Sequence, residues 1–299
     1  MINLKIRGRL GNQMFQYAAA LSIREKLKDK NKINVDFSTV YQYGFTNELK
    51  NFNVSKMNES NLKLSLYQYI LIIKFKLVRV LFPKKVEKEK MKLEEKGLIY
   101  QEYGYHDIKL NKNCKNTMVS GFFECPKYFD NVKEQIQEEF QPINPPIEKN
   151  KKLYEEIEKS ESVCVTIRRG DFLSDKYKDK FYVCTPDYFK KGIEILSKKV
   201  KNPKFFVFSD DIEWCKNNLK FLPKGTMYES GDDPAWEKLR LMYSCKHFII
   251  SNSTFSWWAQ YLCRNKNKKV VAPSRWYNTG DNKDIYEDNW ILIDIDKLK

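Results

Sequence analysis

Residues 162–167, Ser162-Val-Cys-Val-Thr-Ile167, form a short, mostly apolar run rich in β-branched residues, and Arg168-Arg169-Gly170-Asp171 follow it at once. Such a run, bounded by turn residues, reads as a strand buried on both faces. A helical pattern precedes it (147–159) and another follows (186–199), leading to a second apolar strand, Lys204-Phe-Phe-Val-Phe-Ser209. Helices at 212–219 and 234–244 come next, then the strand His247-Phe-Ile-Ile-Ser251, a helix over 254–264 and a strand near 269–272. Continuous apolar strands alternating with helices imply a parallel sheet covered on both sides. Fold class is therefore α/β.

Outward from this half, Gln141-Pro-Ile-Asn-Pro-Pro146 is the best linker, since three prolines in six positions stop both helix and sheet. It divides the chain into 1–146 and 147–299. The first half opens on an alternating strand, Ile2 to Ile6, a turn Gly8-Arg9-Leu10-Gly11-Asn12-Gln13, and a helix from Met14 to about Lys28. Residues 30–120 carry few recognisable motifs. Leu62 to Phe82 is the most apolar stretch, interrupted by Lys63, Lys74, Lys76 and Arg79, so no uncharged run reaches the ~18–20 residues of a spanning helix. It reads as a buried helix or hairpin, with a basic amphipathic helix on an acidic membrane as the alternative. Lys84 to Lys96 reads as a solvated helix face.

The chain of 299 residues is 42% hydrophobic and 31% charged, which excludes a disordered chain and a small disulfide scaffold. A net charge of +15 points to an anionic partner: nucleic acid, an acidic membrane face or a phosphorylated substrate. Seven cysteines without a CxxC pair, and only two histidines, argue against zinc and fit a reducing compartment. No secretory signal opens the chain, so the expected location is cytoplasmic.

In open α/β sheets, ligands lie outside the carboxyl ends of the strands. Three strands end in polar clusters there: Arg168-Arg169-Gly170-Asp171, Ser209-Asp210-Asp211 and Ser251-Asn252-Ser253-Thr254-Phe255-Ser256. Arginines offer charge-assisted bidentate donors, and a helix N-terminus adds N–H groups and a favourable dipole, so the set suits a diphosphate. The aspartates suit a ribose or a base, although Asp and Ser also cap helices. Asp171 and Asp175 are candidates for a general base, with an arginine-orienting salt bridge as the competing role for Asp171. Trp257 and Trp258 read as packing residues, His247 as a sheet-edge residue, and Asp294-Ile-Asp296 as an incidental imitation of a DxD metal motif.

GRLGNQMFQYA at 8–18, TIRRGDF at 166–172, FSDDIEWC at 208–215 and SNSTFSWWAQYL at 251–262 resemble the bacterial α-1,2-fucosyltransferases of glycosyltransferase family 11. That family sits within the α-1,2/α-1,6/protein O-fucosyltransferase superfamily. The resemblance implies a GT-B-like fold: two Rossmann-type domains facing across a cleft, 1–146 on the acceptor side and 147–299 binding a GDP-sugar. It implies inverting, metal-independent transfer of L-fucose from GDP-L-fucose to the 2-hydroxyl of a terminal β-galactoside, without a cofactor, in bacterial surface-polysaccharide synthesis. Arg168 would hold the β-phosphate. Arg169, Ser209, Asp210, Asp211 and Asn252 to Ser256 would complete the donor site, and Gly8, Arg9, Gly11, Asn12 and Gln13 would close over it from the other domain. Thr166 stands where the family's arginine motif carries a histidine, so no imidazole can act there. Transfer of another GDP-sugar or to another linkage stays open. So does peripheral contact with the inner membrane. A nucleic-acid-binding protein is the reading from a different class, but its lysines are interleaved with glutamates and no RRM, KH or helix-turn-helix signature occurs.

Overall fold

The computed structural model describes residues 1–62, 66–102, 104–280 and 282–298. The chain divides into two compact units, Met1–Glu139 and Phe140–Lys299. The division falls ahead of the expected linker, because 141–146 belongs to the second unit. Arg240 Nη2 donates to the Pro142 carbonyl, Tyr243 Oη donates to Gln141 Oε1, and buried Glu237 accepts from the Ile147 amide at 3.0 Å. Prolines stop regular structure there, but these side chains hold the irregular segment down.

The first unit contains, in order, β1 (Ile2–Lys5), α1 (Leu10–Lys26), β2 (Ile33–Asp36), α2 (Ser38–Gln42), β3 (Met57–Glu59), α3 (Leu66–Leu81), α4 (Val86–Glu95), β4 (Leu98–Gln101), β5 (Thr117–Gly121) and α5 (Lys133–Glu139). Its sheet is parallel, ordered β3-β2-β1-β5-β4. Helix α1 starts four residues earlier than the sequence pattern suggests, so Gly11, Asn12 and Gln13 lie in its first turn. Its side chains are buried from Met14 through Arg24, and the unit is built around it.

The expectation of a buried element over Leu62 to Phe82 is overturned, for residues 66–82; Lys63, Leu64 and Ser65 lie outside the described residues. This stretch is helical, but Phe75 is the one buried side chain of α3, packed among Leu93, Leu98 and Met118. One face of α3, with Leu71 beside Phe75, packs on this cluster, whereas Leu66, Ile70, Ile73, Leu77 and Val80 are exposed.

The second unit runs α6 (Lys151–Lys159), β6 (Glu161–Ile167), α7 (Lys178–Phe181), α8 (Pro186–Lys199), β7 (Pro203–Ser209), α9 (Ile212–Asn218), β8 (Met227–Tyr228), α10 (Ala235–Ser244), β9 (His247–Ile249), α11 (Thr254–Leu262), β10 (Val270–Pro273) and β11 (Ile291–Ile293). All neighbouring strands are parallel, in the order β11-β10-β9-β6-β7-β8. Renumbered from its first strand, this is the 3-2-1-4-5-6 order of a Rossmann sheet, and it reverses between β6 and β9. Val163, Val165, Val207, Ile249 and Val271 pack with Tyr188, Phe189, Ile193 and Leu196 of α8 on one side. Trp257 and Trp258 of α11 are fully buried, with the Trp257 indole N–H donating to the Ile285 carbonyl at 2.8 Å.

Candidate active site

The order reversal between β6 and β9 opens a crevice at the carboxyl ends of the two central strands, where doubly wound sheets take ligands. The strands are locked together there: the Ser251 amide donates to the Thr166 hydroxyl at 3.1 Å, and both residues are buried. Thr166 thus acts as a strand clamp. Arg168 and Ser253 each follow this contact by two residues, so both emerge at the mouth of the crevice.

Arg168 is fixed in place from two sides. Its Nη2 donates to Asp171 Oδ1 at 2.6 Å, and its Nη1 lies 2.8 Å from Asp210 Oδ2. A guanidinium has five N–H donors, so this tether leaves others to meet a ligand. The same Asp210 carboxylate accepts from the Arg169 amide at 2.8 Å, tying the end of β6 to the loop after β7. Gly170 is required by this packing: a Cβ there would sit 2.5 Å from Asp210 Oδ2. Asp171 therefore orients the arginine, the competing role set beside its candidacy as a general base. Asp175 lies exposed beyond it.

Arg169 points elsewhere. Its guanidinium lies over the Trp214 ring at 3.4 Å, and its Nε donates to Asp211 Oδ2 at 3.1 Å. Asp211 also caps α9, accepting from the Trp214 amide, and Ser209 Oγ accepts from the Asp211 amide at 3.0 Å. Ser209, Asp211 and Arg169 thus form a structural corner beside the crevice. Asn252 is turned inward: its amide nitrogen donates to the carbonyls of Phe181 and Trp276, and its oxygen faces the Cys184 thiol. Burial pushes that thiol up to about 12. Ser256 is buried and paired with Ser251 at 3.0 Å. The part of this cluster left open is consequently Ser253, Thr254 and Phe255, all half-buried at the start of α11. Ser253 occupies the cap position without making a side-chain cap bond, so its hydroxyl does not take up a first-turn N–H.

An aromatic group beside the arginines was not anticipated. Phe172 lies against the Arg168 guanidinium at 5.7 Å and stacks on Phe181 at 5.3 Å, and Phe181 meets Tyr277 edge-on at 5.4 Å. Lys180 Nζ sits over both Phe181 and Tyr277. The signal for Phe172 was present in the arginine motif itself; Tyr277 lies about a hundred residues away and left none. A cavity of about 670 Å³ lined by Lys159, Glu161, Lys201, His247 and Lys269 opens at the opposite, amino ends of the strands. His247 bridges strands there, accepting from the Lys269 amide and facing Glu161 at 3.3 Å; β9 is an interior strand of the sheet. Asp294 and Asp296 pair with Lys297 and Arg275.

In the first unit, Gly8 to Gln13 follows β1 at that sheet's own reversal, between β1 and β5. Gly8 has φ +82°, and a Cβ there would strike Asn12 Nδ2 at 2.6 Å. Gln13 is buried and fully engaged: it donates to the carbonyls of Gly8 and Thr46 and accepts from the Glu48 amide. It braces the turn, contrary to the expectation of a free donor. Gly11 is buried in the first turn of α1, while Arg9 stays exposed with its guanidinium 5.1 Å from the Phe45 ring centroid.

A Rossmann-ordered sheet with a tethered arginine and a helix N-terminus at its switch point defines a doubly wound α/β protein of the GT-B-like class. The chain belongs to glycosyl transferase family 11, whose model matches residues 1–294. It is 30% identical to an alpha-1,2-colitosyltransferase of Escherichia coli over 97% of this chain and 98% of that protein. It is 28% identical to the O-antigen biosynthesis glycosyltransferase WbnK of Escherichia coli, over 96% and 99%. A galactoside alpha-(1,2)-fucosyltransferase 1 of Saimiri boliviensis boliviensis is 28% identical over 48% of this chain and 42% of its own. Among solved structures, NodZ alpha-1,6-fucosyltransferase soaked with GDP-fucose superposes with a TM-score of 0.51 at 13% identity, covering 87% of this chain and 92% of NodZ. The expected α/β, GT-B-like class is borne out.

Proposed function

We propose that this glycosyltransferase moves L-fucose from GDP-L-fucose to the 2-hydroxyl of a terminal β-galactoside, with inversion and without a metal ion, in assembly of a bacterial surface polysaccharide. The observation that carries this reading is the tethered Arg168 at the β6–β9 switch point, beside the N-terminus of α11. Breaking the sugar–phosphate bond builds negative charge on the departing diphosphate, and a guanidinium already oriented by Asp171 and Asp210 meets that charge without reorganising. The first-turn N–H groups after Ser253 supply a second, neutral set of donors, so arginine and helix dipole together do what a divalent cation does elsewhere. Asp171 and Asp210 are positioning residues, and Arg168 is the catalytic one. The likeness to WbnK, an O-antigen enzyme by name, supports the polysaccharide context.

One observation favours a second donor: the colitosyltransferase likeness extends over nearly the whole of both chains. Colitose is L-fucose without its 3-hydroxyl. A site built to hydrogen-bond that hydroxyl rejects the deoxy sugar by about 10⁴-fold or more, so direct competition separates the readings. The experiment is incubation with GDP-fucose or GDP-colitose and a panel of β-galactosides, with and without excess EDTA, followed by linkage analysis. An α-1,2-linked fucoside formed equally in EDTA is the expected product. Transfer of colitose alone, or abolition by EDTA with rescue by manganese, overturns the donor or the metal-free step respectively.

A further inference from the structure

Helix α3 is apolar on two opposite sides. Phe75 faces inward, whereas Leu66 is 75% exposed, Leu77 56% and Val80 75%, with Ile70 and Ile73 also open. At about 100° per residue, Leu66, Ile70, Ile73, Leu77 and Val80 fall on a single outward stripe, directly opposite Phe75. Lys74 and Lys76 flank this stripe about 80° away on either side, by the same helical geometry. The chain continues past the helix through exposed Leu81 and Phe82 to Pro83, Lys84 and Lys85. No acidic residue occurs from Leu66 to Lys85. The neighbouring carboxylates of α4 are paired locally, Glu87 with Lys90 and Glu89 with Lys92, and Lys74 makes only a long 3.7 Å contact to Glu89.

We propose that α3 docks the protein on an anionic lipid surface, lying in the plane of the interface with its outward stripe in the acyl boundary. Lysines on both shoulders of an apolar stripe are placed to extend their stems along the lipid while their ammonium groups reach the headgroups. The absence of acidic side chains along these twenty residues selects a negatively charged surface over a neutral one. No helix among the described residues is long and apolar enough to cross a membrane, so attachment is to one face and reversible. This surface belongs to the first unit, the arginine site belongs to the second, and the test of this surface is independent of the donor.

The test is co-sedimentation of the full chain with vesicles of phosphatidylglycerol and phosphatidylcholine, and with phosphatidylcholine alone, alongside sedimentation velocity without lipid. The expected result is binding to the anionic vesicles only, weakened by raised salt. It should fall about tenfold or more in Lys74→Glu with Lys76→Glu and independently in Leu77→Glu, whose site is exposed and leaves the fold intact. Equal recovery in the supernatant with both vesicle types overturns the proposal. So does binding to neutral vesicles that ignores salt and the lysine reversals. Self-association in the absence of lipid that Leu77→Glu abolishes, without vesicle binding, assigns the stripe to a second copy of the chain instead.

Discussion

Gly170→Ala adds one methyl group at the point where the β6 arginine is held. The new Cβ would lie 2.5 Å from Asp210 Oδ2, and restoring an ordinary C···O separation of about 3.3 Å means moving that oxygen by about 0.8 Å. The same oxygen lies 2.8 Å from Arg168 Nη1, so a shift of that size takes the contact out of ion-pair geometry. Asp210 sits at the end of a side chain with partial solvent access, so it can yield, but Gly170 itself has φ 0° and ψ −111°, outside the regions open to an L residue, so the fold should lose about 1–3 kcal/mol. Catalysis should fall as well, because a 1 Å misplacement of a positioning group can cost about 10²-fold. The expected outcome is a kcat/KM for transfer lowered about 10- to 100-fold, with Tm lowered by several degrees. Steady-state transfer kinetics and a thermal melt on the same preparation read both quantities. Wild-type kcat/KM in a folded Gly170→Ala protein would refute the claim that the Asp210 tether sets the arginine for reaction.

Thr166→Val removes the acceptor for the buried Ser251 amide and should cost about 1–3 kcal/mol, seen as a lower urea midpoint with unchanged slope; an unshifted midpoint contradicts the strand clamp. Of the seven cysteines, all but Cys114 are buried, and burial raises Cys184 and Cys215 to about 12 and about 11. A thiol reagent should therefore label one cysteine in the native protein and seven after denaturation, and rapid labelling of a second would contradict this packing. Burial lowers the pKa of His247, outweighing Glu161 beside it. The unfolded chain then takes up that proton first, so stability is unaffected above about pH 6.5 and falls as pH drops through and below it. Denaturant melts should show this acid slope reduced in His247→Gln, and an unchanged slope would remove His247 as its source.

The second unit was legible because its strands are continuous apolar runs set between helices, and β6 and β7 are seven residues each. The first unit was legible only in β1 and α1. Its strands are three to five residues long, and β3 is the polar Met57-Asn58-Glu59 at the sheet's edge. Periodicity also misjudged α3, since apolar residues on both of its sides look the same whether a helix is buried or half exposed. Within the site, the arginine motif announced Arg168, but the partners that decide each side chain's job come from distant segments. Asn252 is held by carbonyls of Phe181 and Trp276, and Gln13 by Thr46 and Glu48; nothing in the local sequence marks these residues as braces. Gly11 to Gln13 read as loop because glycine and asparagine favour turns, whereas tertiary packing around α1 draws them into its first turn.

The central claim is that the β6–β9 switch point holds the donor's diphosphate through Arg168. Calorimetric titration of GDP and of GMP into the wild type and Arg168→Ala, with the fold checked by circular dichroism, tests it most directly. Loss of a charge-assisted contact to the β-phosphate should weaken GDP binding about tenfold or more and leave GMP, which lacks that phosphate, nearly unchanged. Equal GDP affinity in the two folded proteins would contradict the account.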